Sequence, residues 1–559
     1  MKRWFIRLAA IALLPAFAAL PSSAARPNFD ARPGIFARSP VLAFRFWTTH
    51  PEHAPAAVRD LLASARASSP KPRSDLHGRP LFHRADVFNR DTLGVPQDEE
   101  SISVCNRDPR ILIGGTNDFR GLVDPQGNFT GWHFSNTGGR TLTNEGLLPP
   151  VEIAGEEVPS GGDPAFVADD RCVLYASTLN YVGDIGGLSG VGVYRTTAET
   201  LASCPRARPD ALTQPACWPI RRNIDTAAPG HFLDKEWLDV GRSGSAGRVV
   251  WIAYSDLSEF EPVEDEIAEH RGVVKAVRCS EDLASCTAPI VLSHGQQVAE
   301  YPDVTIGPDG RVYVTWTEFL GGSFVGPAER AWFAVAEPGS THFSAPRPVI
   351  PTDDLVLRGH PFGHLHANDF RLAGNFTTNT VRLVHGHPRI YMTWTHCQAE
   401  VLESVCEEAE IQLVISDDLG RTWTRPRVIS AGGDNYFPSI DLDPSTGAVV
   451  VAYYTNRFDL TFHNRQDVEV LTLTSDGRVA KRREVRLENE PEADPVLQGR
   501  FIGDYLEITA AHGWAWVHFN ANARSERLLG EGVPVPQQDN YLARVPVHAS
   551  RGHHGPPGR

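Results

Sequence analysis

The sequence of 559 residues lacks several features that would indicate other classes of protein. It has 2 methionines against 12 tryptophans, and few stretches have the spacing of an amphipathic helix, which favours β structure. No Cys-x-x-Cys pair suggests a zinc or redox site. After the first residues, no apolar run is long enough to span a bilayer. These absences favour a β-rich chain without a membrane-inserted segment.

The chain also lacks an excess of positive charge. Its formal net charge is -15, and removal of the basic N-terminal segment described next would leave about -18. A surface this acidic repels nucleic acid and anionic lipid. The sequence therefore predicts neither of these as a partner.

Residues 1–25 have the pattern of a secretory signal peptide: three basic residues, an apolar run interrupted by Pro15, and small residues at the exit. Cleavage is expected after Ala24 or Ala25, so we predict a secreted or periplasmic protein. The rest of the chain divides into an Ala/Pro-rich arm, one folded domain and a disordered polar tail, at 26–80, 81–548 and 549–559.

The eight cysteines suit an oxidising compartment, where structural disulfides persist. Three pairs are close enough in sequence to close local loops: Cys204–Cys217, Cys279–Cys286 and Cys397–Cys406. Cys105 and Cys172 are left over.

A repeated pattern runs through the folded domain. Seven segments consist of an apolar alternation, a turn with Gly, Asp or Asn, and a second alternation, and they recur every roughly 60 to 72 residues. One or two further strand candidates follow each hairpin. Four antiparallel strands per radially repeated unit predict an all-β protein, a seven-bladed β-propeller, with six blades as the alternative. The last unit lacks a strand, which the segment from Leu81 to Phe88 could supply.

The repeat register makes a prediction about the two remaining cysteines. Cys105 and Cys172 both occupy the first hairpin turn of their units, and these units are adjacent. The same position in adjacent units should lie on the same face, so we predict a Cys105–Cys172 disulfide.

The segment SDDLGRTW, Ser416 to Trp423, follows the third strand candidate of the fifth unit. Its Ser-x-Asp-x-Gly-x-x-Trp spacing resembles the Asp-box, or BNR repeat, of sialidases and related secreted propellers, and weaker copies start at Ser135 and Ser280. Turn chemistry explains these residues: a short polar side chain binds turn amides and Gly accepts an unusual backbone angle. We therefore interpret Asp418 as structural, at the end of the unit opposite the pocket.

In a propeller, the starts of the innermost strands and the ends of their hairpin partners surround one mouth of the central channel. Those positions are ionic in this sequence. The candidate catalytic groups are Asp234, Asp256, Asp303, Glu318 and Tyr505, and the candidate substrate-binding groups are Arg120, Arg457, Arg500, Arg524, Asp118, Asp163 and Asp504.

Each residue type suggests a role at this mouth. Arginines bind carboxylate or sulfate through paired hydrogen bonds, and carboxylates opposite them could act as acid or base on a glycosidic bond. Tyr505 could be a nucleophile activated by Asp504 or Glu507. The combination is similar to sialidase chemistry. The chain departs from true sialidases, however, because Pro109-Arg110-Ile111-Leu112 replaces their Phe/Tyr-Arg-Ile-Pro segment and lies elsewhere in its hairpin.

A second cluster of candidate ligands lies between His360 and His396. His364, His366, Asp369 and His396 could together bind a divalent metal, since imidazole nitrogens suit zinc and similar ions. A histidine here could instead abstract a proton in a polysaccharide lyase. The other explanation is a solvated polar loop. We expect no required cofactor.

Three functions remain open at this point. The first is a glycoside hydrolase acting on extracellular glycans or glycoproteins, acidic ones among them. The second is a non-catalytic propeller that binds glycan or protein, and the third is a lyase or metal-assisted enzyme that uses the histidine cluster. The sequence favours the first.

Overall fold

A computed structural model describes residues 85–547 of the chain, apart from short internal gaps. The gaps are 183–186, 209–210, 259–260, 264–265, 269–270, 297, 321–327, 351–362, 366–367, 369, 373–376, 401–404, 460–463, 488, 495, 498, 500 and 531–532. The predicted signal peptide, N-terminal arm and C-terminal tail lie outside the described residues. None of the described helices is long and apolar enough to cross a membrane.

The described chain is nearly all β, and its strands form antiparallel units of four in chain order. After β1 (Ala85–Val87), the first unit consists of β2 (Gln97–Val104), β3 (Leu112–Asp118), β4 (Thr130–Ser135) and β5 (Asn144–Leu147). A small hairpin follows, β6 (Val151–Ile153) and β7 (Glu156–Val158). The second unit consists of β8 (Ala165–Ala168), β9 (Val173–Val182), β10 (Leu188–Thr197) and β11 (Ile220–Thr226), with the helix α1 (Ala198–Ser203) before β11.

The third and fourth units share one extended sheet. The third consists of β12 (His231–Arg242), β13 (Arg248–Ser258), β16 (Arg271–Ser280) and β17 (Ile290–Val291), with the hairpin β14 (Glu261–Val263) and β15 (Glu266–Ala268) inserted. The fourth consists of β18 (Val298–Ile306), β19 (Val312–Leu320), β20 (Ala328–Ala336) and β21 (Arg347–Pro348). A single parallel pair, Gly272 with Val298, joins the two units.

The last three units repeat the same order. The fifth adds the short strands β22 (Gly363–Leu365) and β23 (Arg371–Leu372) to β24 (Thr378–Val384), β25 (His387–Glu400), β26 (Val405–Ser416) and β27 (Arg427–Val428). The sixth consists of β28 (Asn435–Asp443), β29 (Ala448–Thr455), β30 (Asp467–Leu473) and β31 (Val479–Val485). The seventh consists of β32 (Glu507–Ala511), β33 (Trp514–Glu526), β34 (Val535–Pro546) and, paired with β34, the N-terminal β1.

The first strands of the units contact one another in succession. Strands β2, β8, β12, β18, β24, β28 and β32 each pack against the next, and β32 packs against β2. The apolar clusters lie between neighbouring units; one of them joins Trp251 of the third unit to Val314 of the fourth. Burial between adjacent sheets explains the alternating pattern of the sequence, because each strand has apolar neighbours on its faces.

Backbone amides at the inner strands are bound by side chains of the preceding unit. The Ser101 hydroxyl accepts from the Phe166 amide at 2.8 Å, and the Ser439 hydroxyl accepts from the Ile508 amide at 3.2 Å. Buried backbone N–H groups need such partners. Short polar residues on the inner strands therefore join one unit to the next.

All four predicted disulfides are present. Three of them close local loops: Cys204–Cys217, Cys279–Cys286 and Cys397–Cys406. Cys105–Cys172 links the first two units, as the repeat register predicted. These bridges fit an exported protein.

The segment SDDLGRTW forms the turn between β26 and β27, as predicted. The Ser416 hydroxyl accepts from the Gly420 amide at 2.9 Å, and Asp418 accepts from the Thr422 amide at 2.9 Å. Gly420 has a φ of +71°, and a Cβ atom there would lie 2.3 Å from the Phe333 ring. Trp423 packs on the same ring, with the centroids 5.4 Å apart. Local hydrogen bonds and packing therefore account for the motif.

Related turns occur at the same place in other units. The hydroxyls of Ser135, Ser280 and Thr474 accept from the amides of residues four or five positions later. Ser135 and Ser280 are the last residues of the third strands of their units, and Thr474 directly follows the third strand of the sixth. In an antiparallel unit, that end is opposite the start of the first strand.

Candidate active site

The first strands of several units have an irregular backbone near their start. The β-ladder registers shift in β2, β12, β18 and β28. At the same place the backbone is left-handed, with positive φ at Glu99, Asp163, Lys235, Tyr301, Phe437 and Gly503. For residues other than glycine this conformation costs on the order of 1 kcal/mol or more, and such strain is concentrated at functional sites.

Four charged side chains from these irregular segments meet at one point. The Lys235 ammonium lies 3.3 Å from Glu99 Oε1, 3.1 Å from Asp163 Oδ1 and 2.9 Å from Asp504 Oδ2. The four residues belong to the third, first, second and seventh units. The Lys235 side chain is 9% exposed and the Asp504 side chain is fully buried. We call this group, with Asp234, the Lys235 cluster.

Asn117, at the end of β3, holds the cluster from the side of the first unit. Its amide nitrogen donates to Asp98 at 3.0 Å and to Glu99 at 2.9 Å. Its amide oxygen accepts from the Asp163 backbone N–H at 2.8 Å. The Asn117 side chain therefore links residues of the first unit to Asp163 of the second.

Asp163 and Asp234 differ in their protonation equilibria. Burial alone would raise the pKa of Asp163, but Lys235 and hydrogen bonds from Glu99 and Asp234 lower it overall. Burial and the charge of Asp163 raise the pKa of Asp234, although Lys235 opposes this. The two carboxyl groups are hydrogen-bonded, with Asp234 as the protonated member. Environments that separate the pKa values of neighbouring carboxyl groups are typical of acid–base catalysis.

Further carboxyl groups surround this pair. Burial, followed by the charge of Asp163, raises the pKa of Glu99, and burial also raises the pKa of Asp98. Burial lowers the pKa of Lys235, but the charges of Asp163, Asp504 and Glu99 outweigh it and raise that pKa well above its ordinary value. The ammonium therefore stays charged at every physiological pH.

Tyr505 lies beside the cluster. Its hydroxyl donates to the Pro164 carbonyl at 3.3 Å, its ring meets Trp237 edge to face at 5.5 Å, and Lys235 lies 5.8 Å from the ring centroid. Burial and the charge of Glu99 raise the pKa of Tyr505. The phenol is therefore neutral. The predicted activator Glu507 accepts from the Ile102 amide instead.

A cavity of about 530 Å³ lies along the inner strands, with Trp237 in its lining. Its lining includes four acidic residues of the inner strands: Asp239, Asp303, Asp441 and Glu507. Each accepts a backbone N–H of the next unit; Asp303, for instance, accepts from the Asn379 amide at 2.6 Å. Asp303, a candidate catalytic residue, thus joins the fourth unit to the fifth and belongs to the cavity, not to the Lys235 cluster.

Two other candidate catalytic residues have partners outside the cluster. Asp256 lies 2.6 Å from the Lys275 ammonium and 2.8 Å from His231 Nδ1. Glu318 accepts from the Trp332 indole N–H at 2.8 Å. The structure therefore brings Asp234 and Tyr505 to the Lys235 cluster and places Asp256 and Glu318 in other contacts.

The three described arginines of the candidate set are each paired with carboxylates of this chain. Arg120 lies 2.6 Å from Asp118, is 5% exposed and also contacts Glu145 at 3.5 Å. Arg524 lies 2.7 Å from Glu526.

Arg457 contacts Glu469 of the sixth unit and stacks on the ring of Phe458 at 4.1 Å. The three guanidinium groups therefore have separate partners and form no single triad. Arg500 lies outside the described residues.

The predicted metal ligands are only partly described. His366 and Asp369 lie outside the described residues, and of His364 only the backbone, in β22, is described. His396 lies in β25, paired with Glu410 in β26. Among the described residues, no three His, Cys, Asp or Glu side chains form a group that could hold a metal ion. The divalent metal stays a prediction.

Sequence reasoning missed Glu99, Asp98 and the role of Lys235. They lie at the strand starts, before the apolar alternation by which the repeat is recognised. Aligning Asp98-Glu99-Glu100 with Asp234-Lys235-Glu236 would have placed Glu99 and Lys235 at equivalent positions. The backbone confirms this equivalence, since both residues are left-handed at φ of 58° and 51°.

Comparisons with known proteins give similarity at the level of structure alone. No protein-family model matches the chain, and no curated protein matches its sequence. One similar solved structure is a protein of unknown function from Dyadobacter fermentans, at 9% identity over 84% of this chain and 99% of that one, with a TM-score of 0.41. Another is an ulvan lyase, a polysaccharide lyase, at 10% identity over 82% and 96%, with a TM-score of 0.42. An α-L-arabinofuranosidase from Fusarium graminearum gives 10% identity over 67% and 92%, with a TM-score of 0.39.

Proposed function

We propose that the chain is a glycan-active enzyme, a glycoside hydrolase, on a seven-bladed β-propeller of the sialidase-like class. The succession of inner strands from β2 to β32 and back to β2 supports the ring. The observation that carries the proposed activity is the hydrogen-bonded pair of Asp163 and Asp234 beside Lys235, with pKa values shifted in opposite directions. We propose that the enzyme acts outside the cytoplasm, after export, on glycans or glycoproteins.

The roles follow from protonation and position. Asp234 carries the proton that would pass to the glycosidic oxygen as the bond to the anomeric carbon breaks. Asp163, ionised, holds Asp234 in place and retains the negative charge of the pair.

Asp504 is the carboxylate on another side of the ammonium, and it would take a proton from the attacking water. The Asp163 and Asp504 oxygens can be no farther apart than the sum of 3.1 and 2.9 Å, because both contact one nitrogen. Asp234 contacts Asp163, and the proposal requires its carboxyl group to lie about 5 to 9.5 Å from that of Asp504, the spacing that glycosidases need.

A hydrolysis screen tests the proposal. The purified mature chain is incubated with neutral, uronic, sulfated and sialic glycans, and released reducing ends are measured. Asp234→Asn and Asp504→Asn should each lower kcat by about 10²- to 10⁴-fold, since each removes a proton-transfer group. Asp418→Asn, at the opposite end of its unit, should leave kcat unchanged. Absence of turnover on every glycan class overturns the hydrolase proposal.

The burial of the cluster favours a second candidate, a glycan-binding propeller without catalysis. Glu99 and Asp504 are both engaged by Lys235, and both side chains are almost completely buried. Binding of a glycan without turnover, unaffected by Asp234→Asn, would identify this function. Activity that persists after treatment with a chelator would support our expectation that no metal is required.

A further inference from the structure

The backbone that carries Asp163 is held from two units. The Asn117 amide oxygen accepts from the Asp163 N–H at 2.8 Å. The Thr130 hydroxyl accepts from the Gly162 N–H at 2.9 Å, and the Thr178 hydroxyl donates to the Gly162 carbonyl at 2.5 Å. Asn117 and Thr130 belong to the first unit, and Thr178 belongs to the second. Side chains of the neighbouring unit therefore fix the position of Asp163.

Gly162 shows how closely Asn117 approaches this backbone. Gly162 has a φ of +112°, a conformation that L side chains rarely adopt, and a Cβ atom there would lie 2.6 Å from the Asn117 amide oxygen. A side chain at position 162 would therefore displace Asn117 from the Asp163 N–H. Glycine at this position leaves room for the contact between Asn117 and Asp163.

The amide nitrogen of Asn117 acts on the same carboxyl group through Glu99. It donates to Glu99 Oε2 at 2.9 Å and to Asp98 Oδ1 at 3.0 Å. Glu99 is hydrogen-bonded to Asp163, and because burial raises the pKa of Glu99, Glu99 is the donor in that bond. An amide offers both an acceptor for the N–H and donors for the carboxyl groups, whereas an ionised aspartate would only accept.

The position of Asp163 decides where the negative charge of the Asp163–Asp234 pair lies. Asp163 Oδ1 is 3.1 Å from the Lys235 ammonium, and the attraction between the two charges weakens as they separate. The charge of Asp163 in turn helps to raise the pKa of Asp234. If the Asp163 backbone moved away from Lys235, the proton would be shared more evenly between the two carboxyl groups.

We infer that Asn117 is a positioning residue that fixes Asp163 against Lys235, and that it thereby keeps the negative charge on Asp163 and the proton on Asp234. This inference rests on the proposed function, because that pair supplies its proton transfer. Asn117 acts through Asp163 and Glu99 and needs no contact with the glycan.

Other titratable groups also act on the pair. The charge of Asp163 interacts with six of them, which come from the first, second, third and seventh units: Asp98, Glu99, Tyr181, Lys235, Glu236 and Tyr505. None of these six is replaced in the variants below. A change in the titration of the pair therefore reports the contacts of Asn117.

Carbon-13 NMR of the chain labelled at its aspartate carboxyl groups tests the inference without a substrate. The variants Asp163→Asn and Asp234→Asn assign the two signals. In Asn117→Ala we expect the pKa of Asp163 to rise and the pKa of Asp234 to fall, each by about one pKa unit, because Asp163 moves away from its opposite charge.

Asn456→Ala is the matched control. Asn456 is buried at the end of the corresponding hairpin of the sixth unit, where its amide oxygen accepts from the Asp434 N–H at 2.8 Å and its amide nitrogen donates to Asp434 Oδ2 at 2.8 Å. Its removal should leave the pKa values of Asp163 and Asp234 unchanged. Should Asn117→Ala not fold, Asn117→Ser keeps a side-chain oxygen and should move both pKa values in the same directions.

The pH profile of kcat/KM gives a second readout. The proposed roles require Asp163 ionised and Asp234 protonated. In Asn117→Ala the acid limb should therefore move to higher pH and the basic limb to lower pH, each by about one pH unit. A merely structural role would lower kcat/KM at every pH and leave both limbs in place.

The titration separates failure of the inference from failure of the proposed function. Unchanged pKa values of Asp163 and Asp234 in the folded Asn117 variants overturn the inference even if the chain proves to be a hydrolase. Converging pKa values support the inference even if no glycan is hydrolysed. If Asp234 ionises before Asp163 in the unaltered chain, both the inference and the proposed roles are wrong.

Discussion

The Lys235 ammonium and Asp504 Oδ2 lie 2.9 Å apart, although 269 residues separate them in the sequence. Lys235 belongs to the third unit and Asp504 to the seventh. The contact exists because the first strands of the units pack against one another in succession, with β32 against β2. The predictions below follow from this and related contacts.

Replacing Lys235 with methionine should lower the free energy of unfolding by about 3 to 5 kcal/mol, because it leaves buried carboxylates without their counter-ion. Chemical denaturation at pH 7 measures the loss. The loss should shrink at acidic pH, where the carboxyl groups take up protons. Lys275→Met is the matched control, since Lys275 also contacts two carboxylates but is 19% exposed, and its effect should be smaller. Equal losses in the two variants would contradict the buried cluster.

The pH dependence of activity should have two limbs. Activity requires Asp234 protonated, so it should fall as pH rises through the raised pKa of that group. It also requires Asp163 ionised, so it should fall as pH drops through the lowered pKa of Asp163. Because the two groups are hydrogen-bonded, the profile of kcat/KM reports the pair. In Asp234→Asn the residual activity should lose its basic limb, and a basic limb that persists would assign the acid to another residue.

Asp303→Asn should stabilise the protein increasingly as pH rises. Burial raises the pKa of Asp303 from 3.8 to about 7, so between these values the folded state holds a proton that the unfolded state has lost. The stability of the unaltered chain therefore falls as pH rises through this window, and the asparagine variant avoids that loss. The difference in unfolding free energy should grow by about 1.4 kcal/mol per pKa unit, measured by urea titrations at pH 4, 5.5 and 8.

His518 should give the opposite dependence of stability on pH. Burial lowers its pKa to about 3, so between pH 3 and 6.5 the unfolded state binds the proton and the folded state does not. The stability of the unaltered chain should therefore fall as pH drops through that window. His518→Gln should flatten this acid limb. An unchanged acid limb would show that other groups dominate it.

Removing the Cys105–Cys172 disulfide should destabilise the protein more than removing Cys279–Cys286. The first closes a separation of 67 residues and the second a separation of 7. Loop-closure entropy of the unfolded chain predicts a difference of about 2 kcal/mol between the two double-serine variants. Thermal unfolding under non-reducing conditions measures both. A larger loss for Cys279–Cys286 would contradict the entropic account.

Much of the fold could be predicted from local patterns. Alternating apolar residues with turn signals between them predicted the hairpins, and the position of cysteines within the repeat predicted Cys105–Cys172. The SDDLGRTW turn was also predictable, because Ser416 and Asp418 bind amides only a few residues away. The candidate arginines show where this reasoning ends, since Arg120, Arg457 and Arg524 all lie near the end of the second strand of their units yet have different partners.

The sequence by itself determined what short-range contacts determine: the strands, the turns, the disulfide register and the ionic character of the strand starts. Only the tertiary structure decided which of those ionic groups meet. Glu99, Asp163, Lys235 and Asp504 are brought together by left-handed residues at the starts of separate strands and by the packing of first strands from four units. The opposed pKa shifts of Asp163 and Asp234 arise from the same source, because burial and neighbouring charge exist only after the chain has folded.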